Sequence, residues 1–385
     1  MITVNLIATS AFGLESVVAN ELKKLGYLNL QTENGRVSFK ADIDAIARCN
    51  LWLRAADRLL LKIGEFEARS FEELFEGTKQ LPWADWIPEA GEFPVEGKSI
   101  QSKLFSVSDC QAIVKKAIVE KMKMKYPVKW FKETGPRYRI EVALLKNRVT
   151  LTIDTSGAGL HKRGYRKLTG EAPLKETLAA ALVLLSRWRA DRAFIDPFCG
   201  SGTIPIEAGL IGRNIAPGLN REFDAEKWPQ VPSRIWQQAR EEARDSILAS
   251  QPLGIMGFDL DNQALELARY HSKRAGLGNL LSFQRQELRD LRSSYRYGFL
   301  ITNPPYGERL SDRAGVEELY RQMGNVFKNL DTWSFYVLTS HPSLEKFLGR
   351  QADKKRKLYN GRIQCTYYQF YGPKPQQLQG PFAPQ

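Results

Sequence analysis

The sequence predicts an α/β fold: a doubly wound, mostly parallel sheet closed by an antiparallel hairpin and preceded by a separate α+β region. Three observations carry this. From residue 171 onward, short apolar runs alternate with amphipathic stretches, the pattern of repeated strand–helix–strand crossovers. Three of those runs end at Asp196, Asp259 and Asn303, as strands do when a ligand site lies beyond their carboxyl ends. The last pair, 355–359 and 362–371, is joined by Asn360-Gly361, a strong two-residue hairpin signal.

The elements follow in order. An amphipathic stretch over 14–25, closed by Gly26, predicts a helix flanked by strand-like runs at 4–8 and 37–39. Residues 81–97, broken by Pro82, Gly91, Pro94 and Gly97, read as a connection. A strand over 99–106, a helix over 109–124 capped by Ser108, and alternating runs at 137–145 and 148–154 about Lys146-Asn147 complete the α+β region. Beyond it, helices are expected over 174–187, 204–211, 262–275 and 316–330, and strands over 193–196, 254–259, 280–285, 299–302 and 334–339. Residues 213–253 interrupt the alternation with one polar helix around 233–249 and read as an insertion. The Pro- and Gln-rich end, 373–385, reads as a disordered tail.

Composition narrows the class. A chain of 385 residues with 43% hydrophobic and 26% charged residues has ample material for folded cores. No apolar run approaches a membrane span and the first residues lack a leader pattern, so a cytoplasmic protein without a membrane partner is expected. Cys49, Cys110, Cys199 and Cys365 are scattered and only three histidines accompany them, which argues against a zinc site or any other metal.

The net charge of +13 is unevenly placed. Residues 98–170 hold 17 Lys and Arg against 5 Asp and Glu, whereas residues 1–97 hold 10 against 15. The basic segment includes Lys121, Lys123 and Lys125, with Tyr126, Trp130, Phe131, Tyr138 and Tyr165 among its cations, and so is a candidate surface for RNA. His161-Lys162-Arg163-Gly164-Tyr165-Arg166 sets basic groups around an aromatic, a composition that suits RNA at a domain junction and equally describes a solvated linker.

The chemistry concentrates in the second half. Asp196-Pro197-Phe198-Cys199-Gly200-Ser201-Gly202-Thr203 is a strand end followed by a glycine turn that opens a helix. Gly200 and Gly202 allow close backbone approach and positive φ. The third glycine of the dinucleotide fingerprint is missing, and Asp196 stands where it would repel a pyrophosphate but attract an ammonium group or its ordered waters. Asp259, 63 residues later, ends the next strand where ribose hydroxyls are held; Asp261 either joins it or caps the following helix, and the cap is favoured. After the third strand, Glu287 and its polar neighbours are placed for an adenine amino group. An amino acid, a ribose and an adenine together describe S-adenosylmethionine. The fourth strand then delivers Asn303-Pro304-Pro305-Tyr306. Alone this is as readily a strand ending in a proline turn. Beside a cofactor site it is an amine clamp: the Asn303 amide oxygen and the Pro304 carbonyl accept hydrogen bonds from an exocyclic NH2, Pro305 stiffens the turn, and Tyr306 offers a face on which a base stacks.

Five segments together resemble the THUMP-domain RNA guanine-N2 methyltransferases, in the single-methyltransferase form of the bacterial 23S rRNA enzyme. They are 8–15, 154–166, 172–180, 196–203 and 303–309. The resemblance implies a ferredoxin-like piece over 1–65, a THUMP RNA-binding domain over 66–165 and a Rossmann-like class I methyltransferase over 166–372. It further implies that 172–177, with Pro173 and Thr177, pack beside the cofactor. Where the family often has an aspartate after the third strand, this chain has Glu287. The implied activity is methylation of guanosine N2 in 23S rRNA. Alternatives are tRNA guanine-N2 or adenine-N6 methylation, a catalytically idle RNA-binding assembly factor, and a nicotinamide oxidoreductase, the last disfavoured by Asp196 before an incomplete glycine fingerprint.

Overall fold

A computed structural model describes residues 2–166, 174–306 and 313–374. The chain divides into two compact units: residues up to 10, 18–160 and 221–242 form the first, and 11–17, 161–220 and 243 onward the second. Each therefore borrows a segment from the other's stretch of sequence. Among the described residues no helix is long and apolar enough to cross a membrane.

The first unit is built on β1 (Thr3–Thr9), α1 (Glu15–Lys24), β2 (Leu30–Glu33), β3 (Arg36–Asp42), α2 (Ala45–Trp52), β4 (Arg58–Glu67), α3 (Phe71–Lys79), α4 (Trp83–Trp86), β5 (Val95–Ile100), α5 (Val107–Lys123), β6 (Ile140–Leu145) and β7 (Arg148–Asp154). Its strands form one sheet in the order β2-β3-β1-β4-β7-β6-β5, antiparallel except for β5 beside β6. The Lys146-Asn147 turn takes φ values of 52° and 67°, as a tight hairpin between twisted strands requires.

Two expectations change here. The strand assigned to 99–106 is β5 at Val95–Ile100, starting inside the supposed connection, where Gly97 lies close against Val107, Gln111 and Val142. Helix α5 starts after Ser106, which holds the N-cap position in place of Ser108. The boundary at 65/66 cuts β4, a ten-residue strand that pairs with β1 on one side and β7 on the other and so unites the two N-terminal pieces in one sheet.

Residues 221–242, read as an insertion in the catalytic half, are part of this first unit. Trp228 stacks on Tyr138 with centroids 4.7 Å apart and donates its Nε1–H to the Arg137 carbonyl at 2.9 Å. Arg221 donates to the Gly159 carbonyl at 2.7 Å, and Phe223 stacks on Trp236.

The second unit continues with α6 (Glu176–Leu185), β8 (Phe194–Asp196), α7 (Thr203–Gly212), α8 (Ser233–Asp245, most of it in the first unit), β9 (Ile255–Asp259), α9 (Asn262–Arg274), β10 (Leu281–Arg285), β11 (Phe299–Thr302), α10 (Arg313–Asn329), β12 (Ser334–Thr339), α11 (Leu344–Leu348), β13 (Lys354–Asn360) and β14 (Ile363–Phe370). Its sheet runs β10-β9-β8-β11-β12-β14-β13. The first five strands are parallel, which explains why β8 and β12 are apolar and almost entirely buried. The chain leaves β8 toward β9 and β10 and returns on the other side as β11, so the topological switch point lies between β8 and β11. Ligands in such sheets bind at that place, beyond the strand ends.

Strand β14 is antiparallel to β12, and β13 is antiparallel to β14, so β13 runs with the parallel strands and ends on the same side as Asp196, Asp259 and Asn303. The hairpin loop is Gly361-Arg362, one residue later than expected, because Asn360 stays in the ladder opposite Ile363 and Gly361 supplies the positive φ of 62°. One face of the sheet is sealed by Tyr320, Met323 and Phe327 of α10, with Phe327 stacked on Phe335 at 3.7 Å. These helices and strands fix the switch point rigidly.

Candidate active site

The glycine turn is tied down from two sides. The Cys199 N–H donates to the Phe258 carbonyl at 2.9 Å, and the Gly200 N–H donates to Asp259 Oδ2 at 2.8 Å. Gly200 (φ 51°) has nothing within 4 Å of where a Cβ would stand, so its bare backbone faces open space. Gly202 (φ 83°) is glycine for packing, since a Cβ would meet that of Ala268 on α9 at 2.9 Å. His271 Nδ1 lies 3.2 Å from the Ser201 carbonyl, holding the turn from α9.

Asp196 is 1% exposed; its Oδ1 accepts from Thr302 Oγ1 at 2.6 Å and from the Phe198 N–H at 3.1 Å. Burial pushes its pKa up to about 7, against the pull of those two hydrogen bonds and with the help of the Asp259 charge. Asp259 also accepts from the Asp261 N–H at 3.0 Å, and Asp261 caps α9 by accepting from the Gln263 N–H at 2.8 Å. Burial raises the pKa of the Cys199 thiol, so it packs as a neutral group.

Asn303 follows β11 directly. The Tyr306 hydroxyl donates to its Oδ1, fixing the amide's orientation. Tyr320 of α10 donates to the Pro305 carbonyl at 3.3 Å and shares a 2.8 Å bond with Thr339 Oγ1, bracing the proline turn from beneath. Two cavities open at this end of the sheet. One of about 950 Å³ is bounded by Asp259, Glu287, the Asn303–Tyr306 turn, Gln322 and the hairpin tip from Asn360 to Ile363. The other, about 460 Å³, is bounded by Asp196, the Cys199–Ser201 turn, Thr203 and Asp261. Asn303 and Phe198 line both.

The remaining sequence-predicted residues divide sharply. Pro173 and residues 307–309 lie outside the described residues, and so does most of the expected tail. Thr177 is buried in α6 and lines neither cavity. The linker cations are corrected: Arg163 and Tyr165, 4% and 3% exposed, both reach the fully buried Glu207 Oε1, at 3.5 and 3.1 Å. Arg166 pairs with Glu176 at 3.2 Å and donates to the Leu174 carbonyl at 3.1 Å. These groups are spent inside the protein; of the four, Lys162 is exposed. On α5 and just beyond, Lys123 and Lys125 are exposed and Lys121 is half-buried, and Trp130 is 82% exposed, while Phe131 and Tyr138 are core residues. Sequence reasoning missed Thr302, Phe198, Tyr320 and the hairpin tip. Thr302 beside Asn303, Phe198 inside the glycine-turn motif and the Asn360-Gly361 turn carried local signals, whereas Tyr320 carried none.

Comparison with known proteins identifies the arrangement. Residues 163–369 match an RMKL-like methyltransferase domain, residues 5–60 an RlmL ferredoxin-like domain, and residues 68–154 a THUMP domain. The chain belongs to the RMKL-like methyltransferase family. A Bacillus subtilis protein provisionally named RNA methyltransferase YpsC is 50% identical over 95% of both chains. Ribosomal RNA large subunit methyltransferase K/L of Syntrophotalea carbinolica is 35% identical over 95% of this chain and 53% of its own length, so this chain spans about half of that relative. A Listeria monocytogenes crystal structure described as a predicted N6-adenine-specific DNA methylase superposes with a TM-score of 0.93 at 53% identity, covering 97% of each chain. That of SMU.472, provisionally a methyltransferase and complexed with S-adenosylhomocysteine, gives 0.93 at 46% identity over 98% and 100%. The cofactor of this methyltransferase is S-adenosylmethionine. The site fits it: an open glycine backbone, a buried carboxylate and a second carboxylate at the next strand end are suited to an amino acid and a ribose.

Proposed function

We propose that the chain transfers the methyl group of S-adenosylmethionine to the exocyclic N2 amino group of a guanosine in 23S rRNA. The observation that carries this reading is the position of Asn303, which lines both the cavity of the glycine turn and the cavity of the hairpin tip. Asp259 and Glu287, the ribose and adenine candidates, bound the hairpin-tip cavity as well, so a donor seated on the glycine turn reaches into the cavity where Asn303 and Tyr306 hold the amine. Bound S-adenosylmethionine supplies an electrophilic methyl group. The chain's own residues supply alignment: the Asn303 amide oxygen, held by Tyr306, keeps a lone pair for one N–H, the Pro304 carbonyl takes the second, and the amine lone pair is left directed at the donor. The THUMP match and the rRNA enzyme among the relatives support RNA, and ribosomal RNA in particular.

Nucleoside mass spectrometry of rRNA and tRNA from a deletion strain tests the assignment. Loss of N2-methylguanosine from 23S rRNA is expected; loss of N6-methyladenosine, the base in the Listeria description, or a change confined to tRNA would replace it. Asn303→Ala should lower kcat by about 10²–10³, as loss of one aligned polar contact does, while cofactor affinity by calorimetry stays within about two-fold. A folded Asn303→Ala protein that no longer binds cofactor would contradict the assigned role.

A further inference from the structure

With Arg163 and Arg166 consumed internally, the cations that line the hairpin-tip cavity among the described residues are Lys175 and Arg362. Residues 354–363, Lys-Lys-Arg-Lys-Leu-Tyr-Asn-Gly-Arg-Ile, hold five cations and no acid. Lys355 pairs with Glu345, and Arg356 donates to Ser16 Oγ at 2.6 Å. Lys354, Lys357 and Arg362 are exposed and have no carboxylate within 4.0 Å among the described residues. Like charges crowded on one edge strand repel one another and give the fold nothing. They also blunt that edge against pairing with another chain, a role lysines serve alone. The tip argues for more, because Arg362 lines the hairpin-tip cavity in which Asn303 and Tyr306 hold the amine.

The hairpin is also braced. Gly13, at φ 90°, sits so close that a Cβ would meet the Lys357 carbonyl oxygen at 2.6 Å, and Phe12 packs edge-on against Tyr359 at 6.0 Å. This short N-terminal segment belongs to the second unit and meets β13 at Arg356, Lys357 and Tyr359. At about 3.3 Å per residue, the cations from Lys354 to the tip extend over roughly 20 Å. That is longer than one nucleotide and suits the strand flanking it.

We propose that the β13–β14 hairpin is an RNA-binding element of the catalytic unit itself, with Arg362 at the cavity mouth and Lys354 and Lys357 along β13 binding phosphates beside the acceptor nucleotide. This rests on the reading of the acceptor as RNA. The test uses the full chain, a 23S rRNA fragment and the variant K354A/K357A/R362A. Three lost phosphate contacts should lower the slope of log affinity against log salt by about 2 and weaken RNA binding at least about tenfold at low salt. Cofactor affinity should stay unchanged, and K354R/K357R/R362K should keep the wild-type slope. An unchanged slope in a triple variant that binds cofactor normally overturns the proposal. Should the triple variant misfold, Arg362→Ala alone decides, with an expected slope change of about 0.7 and no change overturning it. If the wild type binds this RNA and leaves it unmethylated, the guanosine reading fails while the slopes still decide the hairpin. Methylation with the same KM for RNA in both proteins sinks the hairpin and leaves that reading standing.

Discussion

The basic stretches at 161–166 and 354–362 are alike in sequence and opposite in structure. In the first, Arg163, Tyr165 and Arg166 are buried against Glu207 of α7 and Glu176 of α6. In the second, Lys354, Lys357 and Arg362 stand exposed on an edge strand. What separates them is the acid contributed by distant parts of the chain. A cation paired with a buried glutamate is a strut, because burying either charge alone costs several kcal/mol. On a sheet edge it stays a surface charge.

The contrast can be broken most forcefully at the strut. Arg163→Ala withdraws the guanidinium from Glu207 and should destabilise the protein by about 3–5 kcal/mol in denaturant unfolding, with the salt slope for RNA unchanged. A cost under about 1 kcal/mol, or a reduced slope, would return Arg163 to the RNA surface.

Asp196 sharpens the comparison as a buried acid with no ion-pair partner among the described residues. Its pKa is raised in the fold, from 3.8 to about 7, so the native state binds the proton more tightly than the unfolded chain does. The stabilisation is therefore fully present below about pH 4 and lost as pH rises through about 7, amounting to at most about 4 kcal/mol. An ammonium group favours the carboxylate, so cofactor affinity should rise toward pH 7 with proton release on binding. Calorimetry in buffers of different ionisation enthalpy measures this, and Asp196→Asn should abolish the release.

Gly13→Ala should cost about 1–3 kcal/mol through its positive φ and its clash with the Lys357 carbonyl. It should raise the KM for RNA with cofactor affinity intact; a normal KM would detach the brace from RNA binding. The smallest effect belongs to the hairpin itself. K354A/K357A/R362A should change stability by within about 0.5 kcal/mol per site, in contrast to the strut.

The catalytic half was legible in the sequence because β8, β9 and β11 are short, mostly buried runs that end at or just before a polar residue, so Asp196, Asp259 and Asn303 announced the same sheet edge. The helix cap at Asp261 followed from its place before Asn262. The first unit was harder. Strand β4 opens with Arg58, runs through Leu59-Leu60-Leu61 and then loses its apolar character, and β5 hides among prolines and glycines, so neither shows one clear period. Side-chain direction was the other blind spot. Nothing local to Arg163 or Tyr165 tells that Glu207, more than forty residues on, will lie beside them. Likewise Tyr320 gave no sign that its hydroxyl would reach the Pro305 carbonyl.

The exchange of segments between the two units has a consequence for the chain as it is made. The first unit contains residues 221–242, with Trp228 filling the place against Tyr138. When Leu160 has been synthesised, that unit still lacks part of its core. At about 5–20 residues per second, the missing stretch arrives roughly 4–16 s later. Until then Tyr138 has no indole to cover it, and a ribosome-bound nascent chain holds an open seam that closes only when the catalytic half is already under way.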